Sequence, residues 1–308
     1  MSQENIGVLE QPRAEDEAQL SAVGAESVHP SRHILPEKPV VANDARAASA
    51  AFNLRDILAY RELLYFLAWR DIKVRYKQTA MGAAWAIIQP LFIMLVFAVF
   101  FGIFIGVPTE GMPFTLFFYC ALVPWTFFSM SLTMSSASLI NNGNLITKIY
   151  FPRVIVPIST VFAGLIDLLI TVVILIGMVL AYHLNLSWRI LMLPAMLALT
   201  ILLSTAIGIW LSALTVKYRD IRHALPFVLQ IWMYITPIVY PLSIITDKWR
   251  KLMYINPLTG IVEGMRSAAV GKEFNWPAIE WSIVITIVIS VAAVRAFRRI
   301  EKSFADLI

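Results

Sequence analysis

The chain is short of the residues that soluble enzymes rely on. Charged side chains make up 15% of its 308 residues, where a soluble domain carries about 25%. A single cysteine, Cys120, excludes an intramolecular disulfide, and its apolar surroundings mark it as a small core residue. The four histidines, His29, His33, His183 and His223, are scattered. No Cys/His cluster has the spacing of a metal site, so no metal is expected. Nor do Asp, Glu and His gather at one interface, as a membrane-bound transferase would usually require. A phosphate-cradling loop needs GxxxxGK followed by Ser or Thr. The nearest approach runs from Gly264 to Gly271 and Lys272, with six intervening residues, and Glu273 follows it. No apolar core follows a basic start, so no signal peptide is expected. No repeat divides the chain into related halves. No catalytic residue is therefore expected on this chain.

What is present is apolar sequence in long runs. The chain is 59% hydrophobic, and its mean hydropathy is +0.73. These values mark an integral membrane protein. Between Ala83 and Thr215 the only charged side chains are Glu110, Lys148, Arg153, Asp167 and Arg189. That leaves room for four spans of about 20 residues, over roughly 83–106, 114–136, 154–182 and 190–215. A fifth, interrupted by Pro226, Pro237 and Pro241, is expected over about 224–245, and a sixth over about 280–297. Six spans return both termini to one side. Basic residues choose that side. Arg55 to Lys77, Lys148 and Arg153, Lys217 to Arg222, and Arg295 to Lys302 all fall on the same face, which is expected to be cytoplasmic. Residues 247–280 are the exception, where acidic residues offset most of the basic ones. Positive charge here points to anionic lipid, not to nucleic acid.

Three segments flank or interrupt the spans. Residues 1–53, rich in Ala, Glu, Ser and Pro, read as a disordered cytoplasmic tail. Residues 54–82 read as an amphipathic interfacial helix, with Leu54, Ile57, Leu58, Leu64, Tyr65, Ala68, Ile72 and Tyr76 on one face. Arg61 and Arg75 fall on or near that face, and the helix either anchors the chain or has a further role. Residues 83–308 form the six-span domain. Within it, 257–271 is too short to cross twice and suggests short helices dipping into the outer leaflet, or a surface hairpin. GxxxG pairs at Gly102–Gly106 and Gly260–Gly264 are weak hints of helix association.

Three motifs carry a family resemblance: RDIKVRYKQTAMGAAWAIIQPL (Arg70–Leu91), ITPIVYPLSII (Ile235–Ile245) and INPLTGIVEGMR (Ile255–Arg266). In this order they resemble the membrane subunit of ABC-2-type polysaccharide exporters, over about residues 54–308. The resemblance implies an all-α integral membrane fold. It has six transmembrane helices, an N-terminal amphipathic interfacial helix, a cytoplasmic coupling helix between spans two and three, and an outer re-entrant hairpin between spans five and six. It implies a homodimer in the bacterial cytoplasmic membrane, with both termini cytoplasmic. Two copies of a separate ABC ATPase subunit would carry the ATP and Mg, and the cargo would be a lipid-linked polysaccharide. An ATP-independent secondary transporter and an exporter of a smaller substrate are the alternatives.

The resemblance also assigns residues. Asn141–Arg153 is expected to hold the coupling helix. Asn144 can cap it, Leu145, Ile146, Ile149 and Tyr150 give it an apolar face, and Pro152 ends it. Arg70, Asp71, Lys73 and Arg75 of the interfacial helix are expected to meet the ATPase or lipid headgroups. Sugar rings stack on aromatic side chains. Candidate conduit residues are therefore Trp85 and Phe92 of span one, Tyr119, Trp125 and Phe128 of span two, and Trp232, Tyr234 and Tyr240 of span five, with spans one and five as walls. Asn256, Pro257, Glu263 and Arg266 are candidates for an outer re-entrant gate. Asp167 lies deep in span three, where a lone carboxylate is costly. It is either a proton or substrate site, or a hydrogen-bonded packing residue.

Overall fold

A computed structural model describes residues 58–77, 84–184 and 187–301. The expected tail over 1–53, the positions Leu54 and Ile57, and the junction at 78–83 lie outside the described residues. Among the described residues the secondary structure is helical, without strands. Five helices are long and apolar enough to cross a membrane: Ala84–Phe104, Phe114–Asn141, Ile155–Ala181, Trp188–Lys217 and Trp276–Glu301.

Helix α1 (Arg61–Lys77) precedes α2 (Ala84–Phe97), which widens into π-helical turns over Ala98–Phe104. Helix α3 (Phe114–Asn141) leads through the short α4 (Gly143–Lys148) to α5 (Ile155–Ala163) and α6 (Leu165–Ala181). The last two form one span, jointed at Gly164. A 3-10 turn, Trp188–Met192, opens α7 (Leu193–Lys217). The remaining helices are α8 (Ile221–Ile235), α9 (Asp247–Met253), α10 (Pro257–Val270) and α11 (Trp276–Glu301).

Helix α3 is the hub. It is the least apolar of the five long helices yet the most buried, and it packs on α2, α5, α6, α7, α8 and α10. Most of its hydroxyls make this possible. They bond back to their own helix, as Thr126 Oγ1 does to Leu122 O (2.8 Å) and Ser138 Oγ to Ser135 O (2.7 Å), so they can be buried without loss. Small residues then bring helices close. Gly208 of α7 faces Ser135, whose Oγ would lie 2.9 Å from an added Cβ. Gly260 of α10 lies against the Ala278 carbonyl of α11, 2.1 Å from such a Cβ. The GxxxG hints are thus resolved within the chain. Gly260 and Gly264 seat α10 on α11 and on Met196 of α7, and Gly102 faces Phe114. Gly106 lies beyond the helix at φ +71°.

Over the fifth expected span, residues 224–245, the helix is interrupted: α8 stops at Ile235. Thr236 precedes Pro237 and is driven to extended backbone, φ −79° and ψ 137°. Pro237 and Pro241 lack the N–H groups that would continue the ladder. Carbonyls stranded by the break find other donors. The Tyr240 hydroxyl donates to Tyr234 O (3.0 Å), and Arg266 donates to Ile238 O (2.8 Å) and Tyr240 O (3.4 Å).

A second core gathers one end of the bundle. It joins Leu67 of α1, Leu139 of α3, Ile146 of α4, Phe151 and Val154 of the link to α5, Val216 of α7 and Phe297 of α11. Helix α10 packs at the other end, near Met196, Ala278 and the Phe117 carbonyl. Between Lys217 and Pro257 the chain therefore passes from one end of the bundle to the other, through α8 and the irregular stretch after it.

Candidate functional site

Helix α4 and its flanks form the first candidate surface. The chain turns at Asn142, and the helix starts at Gly143, two residues earlier than a cap at Asn144 requires. Asn142 is the capping position, and its Nδ2 donates to Ser138 O (2.8 Å), tying the turn to α3. The predicted apolar face divides. Ile146 is 9% exposed and belongs to the second core, with Leu145 packed beside it. Ile149, already extended, and Tyr150 stand outside the helix, and Tyr150 is 71% exposed. Asn144 is exposed. Ile146 and Leu145 thus seat the helix, while Ile149 and Tyr150 are free to meet another surface.

Helix α1 packs along α5. Leu64, Ala68, Ile72 and Tyr76 turn toward the bundle as the periodicity predicts, and Arg75 lies among them. Tyr65 and Leu58, expected on the same face, are exposed. A second apolar face explains this: Tyr65 stacks on Trp69 (6.4 Å between centroids, 7° between planes), and the Lys73 ammonium lies 5.4 Å from the Trp69 ring. Arg70 pairs with its neighbour Asp71 at 2.8 Å. Arg70 and Lys73 are exposed, whereas Asp71 is half-buried.

Arg75 goes elsewhere. Its guanidinium makes an ion pair with Asp167 of α6, and the Tyr76 hydroxyl donates to the other carboxylate oxygen. Burial, and then the bond to Asp167, pushes the Tyr76 phenol up to about 12, so it remains a donor at neutral pH. This three-residue node was not legible in either segment alone. The available signals were a carboxylate without a partner in its own span and an arginine on an apolar helical face.

The node lines a cavity of about 250 Å³ between α1, α2, α3 and the α5–α6 joint. Trp85 and Gln89 of α2 and Ser131 of α3 line it with Asp167 and Arg75. Trp85 is 52% exposed.

The other predicted conduit residues separate by exposure. Phe92 and Tyr234 are exposed on α2 and α8. Tyr119, Trp125 and Phe128 are buried in the main core of this chain. Span two is the packing hub, so its large rings fill interior space. Tyr119 donates to Thr171 O (3.2 Å), and Phe128 meets Trp232 edge-to-face at 5.1 Å. Trp232 and Tyr240 are half-buried.

The predicted outer gate is a bonded knot. Asn256 caps α10, accepting from Leu258 N (3.1 Å) and from Trp232 Nε1 (3.0 Å), and it donates to Thr236 Oγ1 (2.9 Å). Pro257 takes the first helical turn, where its missing N–H costs nothing. Arg266, 4% exposed, lies 3.6 Å from the Phe117 ring centroid and pairs with Glu263 at 3.0 Å. With its bonds to Ile238 and Tyr240, it holds the broken stretch after α8 against α3 and α10. No group of three or more His, Cys, Asp or Glu that could hold a metal ion occurs among the described residues.

Residues 62–270 match the family described as ABC-2 type transporter. The chain is similar to the O-antigen export system permease protein RfbA of Myxococcus xanthus, 26% identical over 260 residues, which cover 83% of this chain and 98% of that protein. It is also similar to RfbA of Klebsiella pneumoniae, 26% identical over 249 residues, covering 80% of this chain and 95% of that protein. The polysialic acid transport protein KpsM of Escherichia coli is 26% identical over 237 residues, covering 73% of this chain and 90% of that protein.

Proposed function

The chain belongs to the ABC-2 type transporter family, and from that premise we propose how it works as the transmembrane subunit of an ATP-driven polysaccharide exporter. The observation that carries the reading is that the similarity spans 98% of an O-antigen export permease, so the likeness is to a whole permease and not to a shared segment. The chain itself performs no catalysis. ATP and Mg belong to two copies of a separate ATPase subunit, and two copies of this chain form the membrane part in the bacterial inner membrane. The cargo is a lipid-linked polymer such as O-antigen or capsule.

In this reading six segments cross the membrane, the sixth crossing being α8 with the irregular stretch after it. Helix α1 lies at the inner interface, α9 and α10 form the outer re-entrant hairpin, and both termini are cytoplasmic. Ile149 and Tyr150, with Arg70, Asp71 and Lys73, meet the ATPase. Trp85, Phe92 and Tyr234 face the sugar chain. Their exposure on spans one and five supports that role, since a polyol needs rings to stack on more than it needs charges. Asp167 carries its counter-charge within the chain, which argues against its use as the coupling group of a secondary transporter. A smaller substrate remains the alternative within the same class.

The test is purification of the full chain from its native host in mild detergent, together with analysis of cells lacking it. A stoichiometric P-loop subunit that co-elutes, and a surface polymer that accumulates inside the deletion strain, are expected. Recovery of the folded chain alone under several gentle detergents, with the surface polymer unchanged in the deletion strain, would overturn the reading.

A further inference from the structure

We propose that the cavity beneath the Arg75–Asp167 pair binds one neutral sugar unit of the cargo, as a side pocket within each copy of the chain. The proposal rests on the polysaccharide-exporter reading. Four observations carry it. First, the pocket is charge-balanced: Arg75 and Asp167 cancel, so neither an anion nor a cation is selected. The pair keeps hydrogen-bonding capacity, because one of the five guanidinium N–H donors is spent on the carboxylate. Second, the Ser131 hydroxyl lines the cavity, is 3% exposed and has no hydrogen-bond partner. A buried hydroxyl left unpaired is costly, so it points to a ligand that can pair with it. Third, the Trp85 ring lines the pocket from span one with the Gln89 amide one helical turn on. That places a stacking surface beside a group that both donates and accepts. Fourth, the volume of about 250 Å³ lies just below the roughly 300 Å³ at which sites for drug-sized ligands begin, which suits one ring. A lipid chain would fill the apolar part but leave the Ser131 hydroxyl unpaired.

Ser131→Cys in the full chain, reconstituted in lipid nanodiscs, gives the test. Cys120 is buried, so the unsubstituted chain supplies the background. The rate of modification by a small thiol reagent is measured with glucose, galactose, mannose, rhamnose or N-acetylglucosamine present. A sugar at about twice its Kd slows labelling about threefold by mass action. That slowing is expected for at least one neutral sugar, not for glycerol at equal concentration, and it should disappear when Trp85→Ala and Gln89→Leu are added. Gln89→Cys at the rim is the second reporter, should Ser131→Cys fail to fold. Reagent access without protection by any sugar overturns the proposal. So does protection that follows the acyl-chain length of the lipid, or a cysteine that no reagent reaches. Cells lacking the chain that still export their polymer would instead sink the exporter reading, whatever the labelling shows.

Discussion

Asp167 and Arg75 are separated by 92 residues in the chain and meet as an ion pair. Both side chains are about a quarter exposed or less, so removing one leaves a poorly solvated charge on the other. We expect Arg75→Met to destabilise the protein by about 1–3 kcal/mol, read as a lower thermal midpoint in detergent. Adding Asp167→Asn should recover most of that loss, because the second change removes the stranded charge. Strictly additive losses would mean that the pair contributes nothing. The conduit rings make a second contrast at this scale. Trp85→Ala and Tyr234→Ala remove exposed rings, so export should fall while the amount of folded protein holds. Phe128→Ala opens a core void costing about 3–5 kcal/mol, so protein abundance should fall instead. Equal export by all three at equal abundance would remove the aromatic conduit. The sequence could not separate these rings. Spans apolar on every side give no period that tells a packed face from an open one, and only tertiary packing buries Phe128 while leaving Tyr234 out.

At the scale of an element, α4 shows how a short helix can have two jobs. That a short helix sits here was legible in the sequence, since Asn142–Gly143 turns the chain and Pro152 bars continuation, but its end was not: it stops at Lys148, with Ile149 already extended. Its facing was not, because six residues are too few for periodicity to assign an inside. Ile146 is locked into the second core with Phe151, Val154 and Phe297, whereas Tyr150 projects outward. A charged residue at Ile146 should therefore lower stability by an amount comparable to other buried apolar losses, about 2–5 kcal/mol. Tyr150→Asp should leave the chain folded and abundant, yet weaken its hold on the ATPase and uncouple hydrolysis from export. Thermal midpoint and co-purified ATPase, measured on both variants, separate the two roles. Stable Ile146→Asp, or normal ATPase retention by Tyr150→Asp, would contradict this division. Helix α8 teaches a similar lesson from the other direction. Its prolines announced a break, but not that Arg266, about 30 residues downstream in the chain, would satisfy the carbonyls the break exposes.

At the scale of the whole molecule, the question is how many times the chain crosses. Five helices are long enough to span, and five crossings would leave the two ends of the chain on opposite sides of the membrane. The packing argues for six. The ends of α3, α7 and α11 share one core with α1, while α10 and the start of α11 lie at the opposite end. In the proposed layout the passage between these ends, through α8, is the sixth crossing. Irregular backbone at that depth is tolerated only where protein covers it, and Thr236 to Val239 are buried, with the Ile238 carbonyl bonded to Arg266 and the Ile235 carbonyl at the end of α8 bonded to Tyr240. The same arrangement collects Lys148, Arg153, Lys217, Arg298 and Arg299 at one end, the end proposed to be cytoplasmic from the charge bias of membrane loops. Single cysteines at Glu110, Lys148 and Lys251, in a chain with Cys120→Ser, would read the sidedness directly in intact cells. An impermeant maleimide should label Glu110→Cys and Lys251→Cys from outside, and Lys148→Cys only after permeabilisation. Labelling of Lys251→Cys from the inside would mean that α8 and its tail turn back without crossing. The hairpin of α9 and α10 would then lie on the cytoplasmic face, and Arg266 would fasten an inner loop in place of an outer one.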